Sequence, residues 1–320
     1  MIKAIAITGP TASGKTSLSL SLSRELGCEI ISMDSMQIYR GMDIGTAKAT
    51  PEERAIAPHH MLDVASPSES FSANDYREMA LPIARDIEKR GMIPLFVGGT
   101  GLYLSTLTRA ATDRVPPACP KYRQAIMDTL ITEDDRIALW KRLEEIDPQS
   151  AAAVHYNNTR RVIRAIEIYE KTGMTKSYFD MLSRQNASDI DILHITLDFH
   201  DREILYKRID ERVDLMLEGG LVREVSELYG SGRLTKDSTA AQAIGYKEII
   251  DRLASGEDLS GAVDAIKQAS RNYAKRQLTW FRHEAGVNTL FADCEGGGMK
   301  SSEQLLLEAL GIIKEQFSRV

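Results

Sequence analysis

The chain has 320 residues, a formal net charge of -6, 43% apolar and 27% charged residues, an ordinary balance for a globular protein. No run of about 18 apolar residues occurs, so no membrane partner is expected. The acidic balance disfavours a uniformly basic nucleic-acid binder and leaves local patches open. Cys28, Cys119 and Cys294 are scattered, and the N-terminus carries no signal peptide, so a reducing cytoplasm is the expected location.

Ile2, Ala4, Ile5, Ala6 and Ile7 read as a buried strand, and Leu18, Leu22 and Leu26 recur at helical spacing. Between them Gly9, Pro10, Thr11, Ala12, Ser13, Gly14, Lys15 and Thr16 satisfy the G-x-x-x-x-G-K-[ST] pattern of a phosphate-binding loop. Glycines let successive N–H groups face one anion, the helix N-terminus and Lys15 add positive charge, and Thr16 would hold Mg2+. Gly27 is a plausible C-cap, and a second strand, Glu29 to Met33, ends at Asp34. In open α/β sheets the carboxyl ends of the strands form the ligand crevice, so Asp34 and the phosphate loop are expected to face one space. Residues 34–48 are too long and glycine-punctuated for a simple turn, which points to function; a helix-capping Asp before a surface loop is the plainer reading.

A third strand is expected at His60 to Val64, with His59-His60 a strand-end pair and not a metal site. Tyr76, Met79, Ala80, Ile83 and Ile87 mark a helix face ending at Gly91. Ile93 to Val97 then runs into Gly98-Gly99-Thr100-Gly101, a second strand-to-helix glycine turn without G-x-G-x-x-G spacing. Its strand does not end in the Asp of ordinary P-loop NTPases, and no Asn-Lys-x-Asp signature is present.

Pro116, Pro117 and Pro120 break the chain, and helical periodicity follows without strand signal. The expected division is a core over 1–112, a helical insertion over 113–186, and the rest of the core with C-terminal helices over 187–320. Within the insertion Arg160, Arg161 and Arg164 stand in a stretch free of acid from Tyr156 to Ile166; a solvated face is the usual meaning, and the missing acids tilt it towards phosphate contact. Ile192 to Leu197 returns to strand. A long helix follows with Leu205, Ile209, Val213, Met216 and Leu217 inward and Arg202, Arg208 and Arg212 elsewhere. From Arg271 to His283, cations interleave with Tyr273, Trp280 and Phe281, which suits an RNA backbone and unstacked bases or, equally, an amphipathic helix with a basic outer face. Ser301 to Phe317 reads as a terminal helix.

Taken together, the phosphate loop, Asp34-Ser35 with Tyr39 to Lys48, Gly98 to Tyr103, and Lys275 to Arg282 resemble the bacterial tRNA dimethylallyltransferases, or isopentenyltransferases. The resemblance implies an α/β fold with a P-loop NTPase-like parallel sheet core and a helical insertion domain. It implies transfer of the dimethylallyl group of dimethylallyl diphosphate to N6 of adenosine 37 in the tRNA anticodon loop, with no zinc; the Mg2+ expected at Thr16 is the one cofactor, and a monomer is expected. Asp34 would take the amine proton, Thr100 and Arg123 would border the reacting centre, and Arg212 would assist the diphosphate. Asp34, Ser35, Met36 and Gln37 would hold the base. Arg160, Arg161, Val162, Ile163 and Arg164, then Gln242, Ala243, Ile244, Gly245, Tyr246 and Lys247, then Lys275, Arg276, Gln277, Leu278, Thr279, Trp280, Phe281 and Arg282, would contact tRNA. The alternative is a small-molecule or nucleotide kinase, which would bind ATP on the same loop and use Asp34 to activate a hydroxyl.

Overall fold

The computed structural model describes residues 1–109, 115–185 and 188–317. In chain order the first elements are β1 (Ile2–Thr8), α1 (Lys15–Leu26), β2 (Cys28–Ser32), α2 (Pro51–Ile56), β3 (His59–His60), α3 (Ala73–Lys89), β4 (Ile93–Gly98) and α4 (Gly101–Thr108). Next come α5 (Pro120–Met127), α6 (Glu133–Ile146), α7 (Pro148–Ala152), α8 (Thr159–Thr172) and α9 (Lys176–Gln185). The chain continues with β5 (Ile190–Asp198), α10 (Arg202–Glu218), α11 (Leu221–Gly230), α12 (Tyr246–Ser255), α13 (Ala262–Arg282), β6 (Asn288–Phe291) and α14 (Ser302–Phe317). Two compact units result: 1–108 with 190–320, and 109–189. The boundaries expected at 112/113 and 186/187 lie outside the described residues.

In the larger unit the strands form one all-parallel sheet ordered β3-β2-β4-β1-β5-β6. Central strands are apolar on both faces because helices cover both. Side chains alternate across β1, so Ala4 and Ala6 pack with Tyr76, Ala80, Ala84 and Ile87 of α3 and with α4. Ile5 and Ile7 pack on the other side against Leu18 and Leu22 of α1 and Leu305, Ala309 and Ile313 of α14. A second core joins Ile38, Tyr39 and Met42 of the long loop to α10, α11, α12 and α13. The smaller unit is helical, with its own core of Leu143, Ala151, Val162, Ala165 and Ile166.

Two expectations about elements are corrected, and one element was not expected. The third strand spans only His59–His60, because Met61 (φ 61°) and Asp63 (φ 59°) enter the left-handed region and turn the chain out of the sheet. Met79, expected inward on α3, is 40% exposed. The edge strand β6 pairs with β5 and was not anticipated; four residues are too few to show a period.

Candidate active site

Parallel strands carry their carboxyl ends to one edge, so Gly9 after β1, Asp34 beyond β2 and Gly99 after β4 meet there. The phosphate loop turns through left-handed residues Ala12 (φ 62°) and Gly14 (φ 95°) into α1, whose N-terminus has neither a capping side chain nor an acid in its first turn. Its N–H groups therefore keep their positive end for an anion. Two side chains pin the loop: Thr11 N–H donates to Gln277 Oε1 (3.0 Å), and Arg208 Nε donates to Ala12 O (2.9 Å). Lys15 Nζ donates to Gly9 O (3.1 Å) and Pro10 O (2.6 Å). Ser13 Oγ is buried without a hydrogen-bond partner among the described residues, and Thr16 is exposed.

Arg212 and Asp34 act on Lys15 in opposite senses. Burial, then the Arg212 guanidinium, pushes the Lys15 ammonium down to about 7, with Asp34 opposing. Burial also lowers Arg212, and Asp34 again opposes. Crowded cations destabilise one another, and an oxyanion of charge two or more relieves that cost.

Across the crevice, Asp34 Oδ1 accepts the N–H groups of Met36 (2.8 Å) and Gln37 (3.4 Å), so the carboxylate fixes the turn that opens the long loop. Ser35 N–H donates to Thr100 Oγ1 (3.1 Å), and Thr100 N–H to Met33 O (3.2 Å). The glycines beside Thr100 have a packing cause: a Cβ at Gly99 would overlap Gln277 Nε2, and one at Gly101 would overlap the Trp280 indole. The geometry thus offers a cationic phosphate site facing a carboxylate with a hydroxyl beside it.

The family model for IPP transferase matches residues 37–284. A tRNA dimethylallyltransferase of Bacillus velezensis is 47% identical over 285 residues, covering 89% of each chain. This chain belongs to the IPP transferase family. The crystal structure of a tRNA isopentenylpyrophosphate transferase from Bacillus halodurans is 41% identical, with TM-score 0.71 over 99% of both chains. A eukaryotic dimethylallyltransferase acting on tRNA is 31% identical and matches 91% of this chain and 74% of its own, with TM-score 0.76.

Within this IPP transferase, several residues expected at the tRNA surface have other work. Val162, Ile163, Ala243, Tyr246, Leu278 and Phe281 are core side chains. Gln37 is held at both ends, its Oε1 by Ser32 Oγ (2.8 Å) and its Nε2 by Thr46 O and Ala47 O (both 3.2 Å). Gln277 is buried and spends its amide on Thr11 and on Gly99 O (2.9 Å). Arg282 grips Asp198 through Nε (2.7 Å) and Nη2 (2.8 Å). In the insertion, Arg164 Nη1 (2.9 Å) donates to buried Glu167, and so does Nε (3.0 Å) of Arg123, the arginine expected to border the reacting centre. Burial opposes that carboxyl's ionisation, yet hydrogen bonds from Lys171, the Cys119 N–H, Arg164 and Arg123 outweigh it and hold it at about 2. The acid lies just beyond the acid-free stretch read from sequence.

Other expected residues stay accessible: Arg160, Arg161, Gln242, Lys247, Lys275, Arg276 and Thr279 are exposed, while Ser35, Met36, Ile244 and Trp280 are half-buried and Gly245 is buried. Glu224 was missed. Its carboxylate accepts N–H groups from Asp43 (2.9 Å), Ile44 (2.8 Å) and Gly45 (3.1 Å) and the Tyr246 hydroxyl, clamping the long loop to α11. Buried Lys48 holds the same loop through Asp43 (2.6 Å), Asp63 (2.7 Å) and Tyr39 O (2.8 Å). Nothing in the spacing of Glu224 marks it, because its partners are backbone groups about 180 positions away.

Proposed function

We propose that this chain transfers the dimethylallyl group of dimethylallyl diphosphate to N6 of adenosine 37 in the tRNA anticodon loop, releasing diphosphate. The observation that carries the reading is the meeting, at the carboxyl edge of the parallel sheet, of the phosphate loop with Lys15, the Asp34 turn and Thr100, whose Oγ1 accepts the Ser35 N–H at 3.1 Å. As the allylic C–O bond breaks, its electron pair leaves with the diphosphate, and Lys15, Arg212 and the α1 N-terminus take up the growing negative charge. The amine nitrogen bonds to the allylic carbon and its proton passes to Asp34. The names of the relatives favour this reading over a kinase.

Mg2+ is compatible with these residues. It keeps several waters and takes one or two protein oxygens together with substrate phosphates, so the exposed Thr16 hydroxyl beside Lys15 suffices as a ligand. When bound it would spread the charge of the leaving diphosphate. Among the described residues no group of three or more His, Cys, Asp or Glu is placed to hold a metal. Membership of a tRNA-acting family supports a cytoplasmic location, and no helix among the described residues is long and apolar enough to cross a membrane. The tRNA backbone contacts assigned are the exposed cations Arg160, Arg161, Lys247, Lys275 and Arg276.

The test is mass spectrometry of tRNA nucleosides after incubation with protein, Mg2+ and dimethylallyl diphosphate. One adenosine should gain a C5H8 unit. An unchanged tRNA together with phosphoryl transfer from ATP would put the kinase in its place.

A further inference from the structure

The loop that begins at Asp34 is gripped at its far end by one carboxylate. Glu224 Oε2 accepts the N–H groups of Asp43 (2.9 Å) and Ile44 (2.8 Å), and its Oε1 accepts the Gly45 N–H (3.1 Å) and the Tyr246 hydroxyl. The seat is close-fitting, since a Cβ at Gly45 would overlap the Tyr246 ring and Leu221. Just beyond it Ala47 stands in the left-handed region (φ 43°), which a residue with a Cβ keeps only where its surroundings impose it. Gln37 then joins this end of the loop to its head. Its Nε2 donates to Thr46 O and Ala47 O (both 3.2 Å), its Oε1 accepts the hydroxyl of Ser32 at the end of β2 (2.8 Å), and its own N–H points to Asp34 Oδ1 (3.4 Å).

We infer that Glu224 is a positioning residue for the acceptor: its carboxylate sets residues 43–47, and through the Gln37 amide the Asp34 turn that faces the incoming amine. The inference rests on the prenyl-transfer reading. Four donors converge on two oxygens, and only an ionised carboxylate accepts on both. A glutamine in its place has the same shape but turns an NH2 group towards a donor, so at least one N–H or the phenol loses its acceptor. The strained turn at Ala47 then loses its hold, and the carbonyls that Gln37 reads move with it. The phosphate loop shares none of these bonds, being pinned by Gln277 and Arg208. The defect therefore falls on the acceptor side, where a shift on the order of 1 Å costs about a hundredfold in rate.

For Glu224→Gln, the single-turnover rate constant at saturating tRNA and dimethylallyl diphosphate should fall about tenfold to a hundredfold, with affinity for inorganic diphosphate within about threefold of wild type. A clamp that served stability alone would lower Tm and leave that rate constant, which does not depend on the folded fraction, within about twofold of wild type; this result overturns the inference. Gln37→Ala cuts the same link nearer Asp34, so the double variant should be no slower than the slower single one, to within about twofold. Losses that multiply in the double variant overturn the inference as well. Should Glu224→Gln fail to fold, Gln37→Ala alone decides, and wild-type-like transfer by it overturns the inference. Failure of the wild-type protein to transfer at all would instead overturn the functional reading.

Discussion

Gln277 holds Thr11: its amide oxygen accepts the loop N–H at 3.0 Å, while its nitrogen donates to Gly99 O at 2.9 Å. One buried side chain thereby ties two glycine turns that are distant in sequence.

Gln277→Leu should leave both backbone groups without that partner. An unsatisfied buried polar group costs about 1–3 kcal/mol, so denaturant unfolding should show a loss of that size, and diphosphate affinity should fall with it. tRNA affinity measured without diphosphate should hold. A selective loss of tRNA binding with unchanged stability would return Gln277 to the RNA surface.

Arg282 pairs with Asp198, whose side chain is 5% exposed while that of the arginine is 40% exposed. Arg282→Ala should cost about 2 kcal/mol, between the limits for surface and buried pairs, and adding Asp198→Asn should recover part of it. The salt slope of tRNA binding should stay put. A slope reduced by about one unit at unchanged stability would mark Arg282 as a phosphate contact.

The structure also shows what the residues could and could not disclose. The phosphate loop, Asp34 and the central strands were legible because each is a local pattern: a motif, a strand end, a run of apolar residues. The basic stretch at Lys275–Arg282 was legible as a composition and misread in detail. Helical periodicity places Gln277, Leu278 and Phe281 inward, yet a sequence does not say that Arg282 meets Asp198 across 84 positions. Arg164 differs, because its acid partner Glu167 stands three residues further on at helical spacing, one position past the acid-free stretch.

Lys15 gives a pH signature. Its ammonium is held at about 7, by burial first and Arg212 second, against an ordinary 10.5. A bound diphosphate favours the charged form, so binding above pH 7 takes up a proton. Below about pH 7 Lys15 is already charged and adds no pH dependence; above it, affinity should fall by up to about tenfold per unit until the raised bound-state value is passed. Lys15→Arg, which does not titrate in this range, should flatten that limb. Calorimetry near pH 8 in two buffers of different ionisation enthalpy reads the uptake directly, and equal heats in both would contradict it.

The central claim is that Asp34 accepts the amine proton opposite the diphosphate, in addition to fixing its turn through Met36 at 2.8 Å. Asp34→Asn keeps the turn, because an amide oxygen caps about as well as a carboxylate, but removes the base. Single-turnover transfer at saturating tRNA and dimethylallyl diphosphate separates the two roles. The account predicts bound substrates and a rate lowered about a hundredfold to ten-thousandfold. Transfer by Asp34→Asn at the wild-type rate would contradict it and leave Asp34 as a turn residue alone.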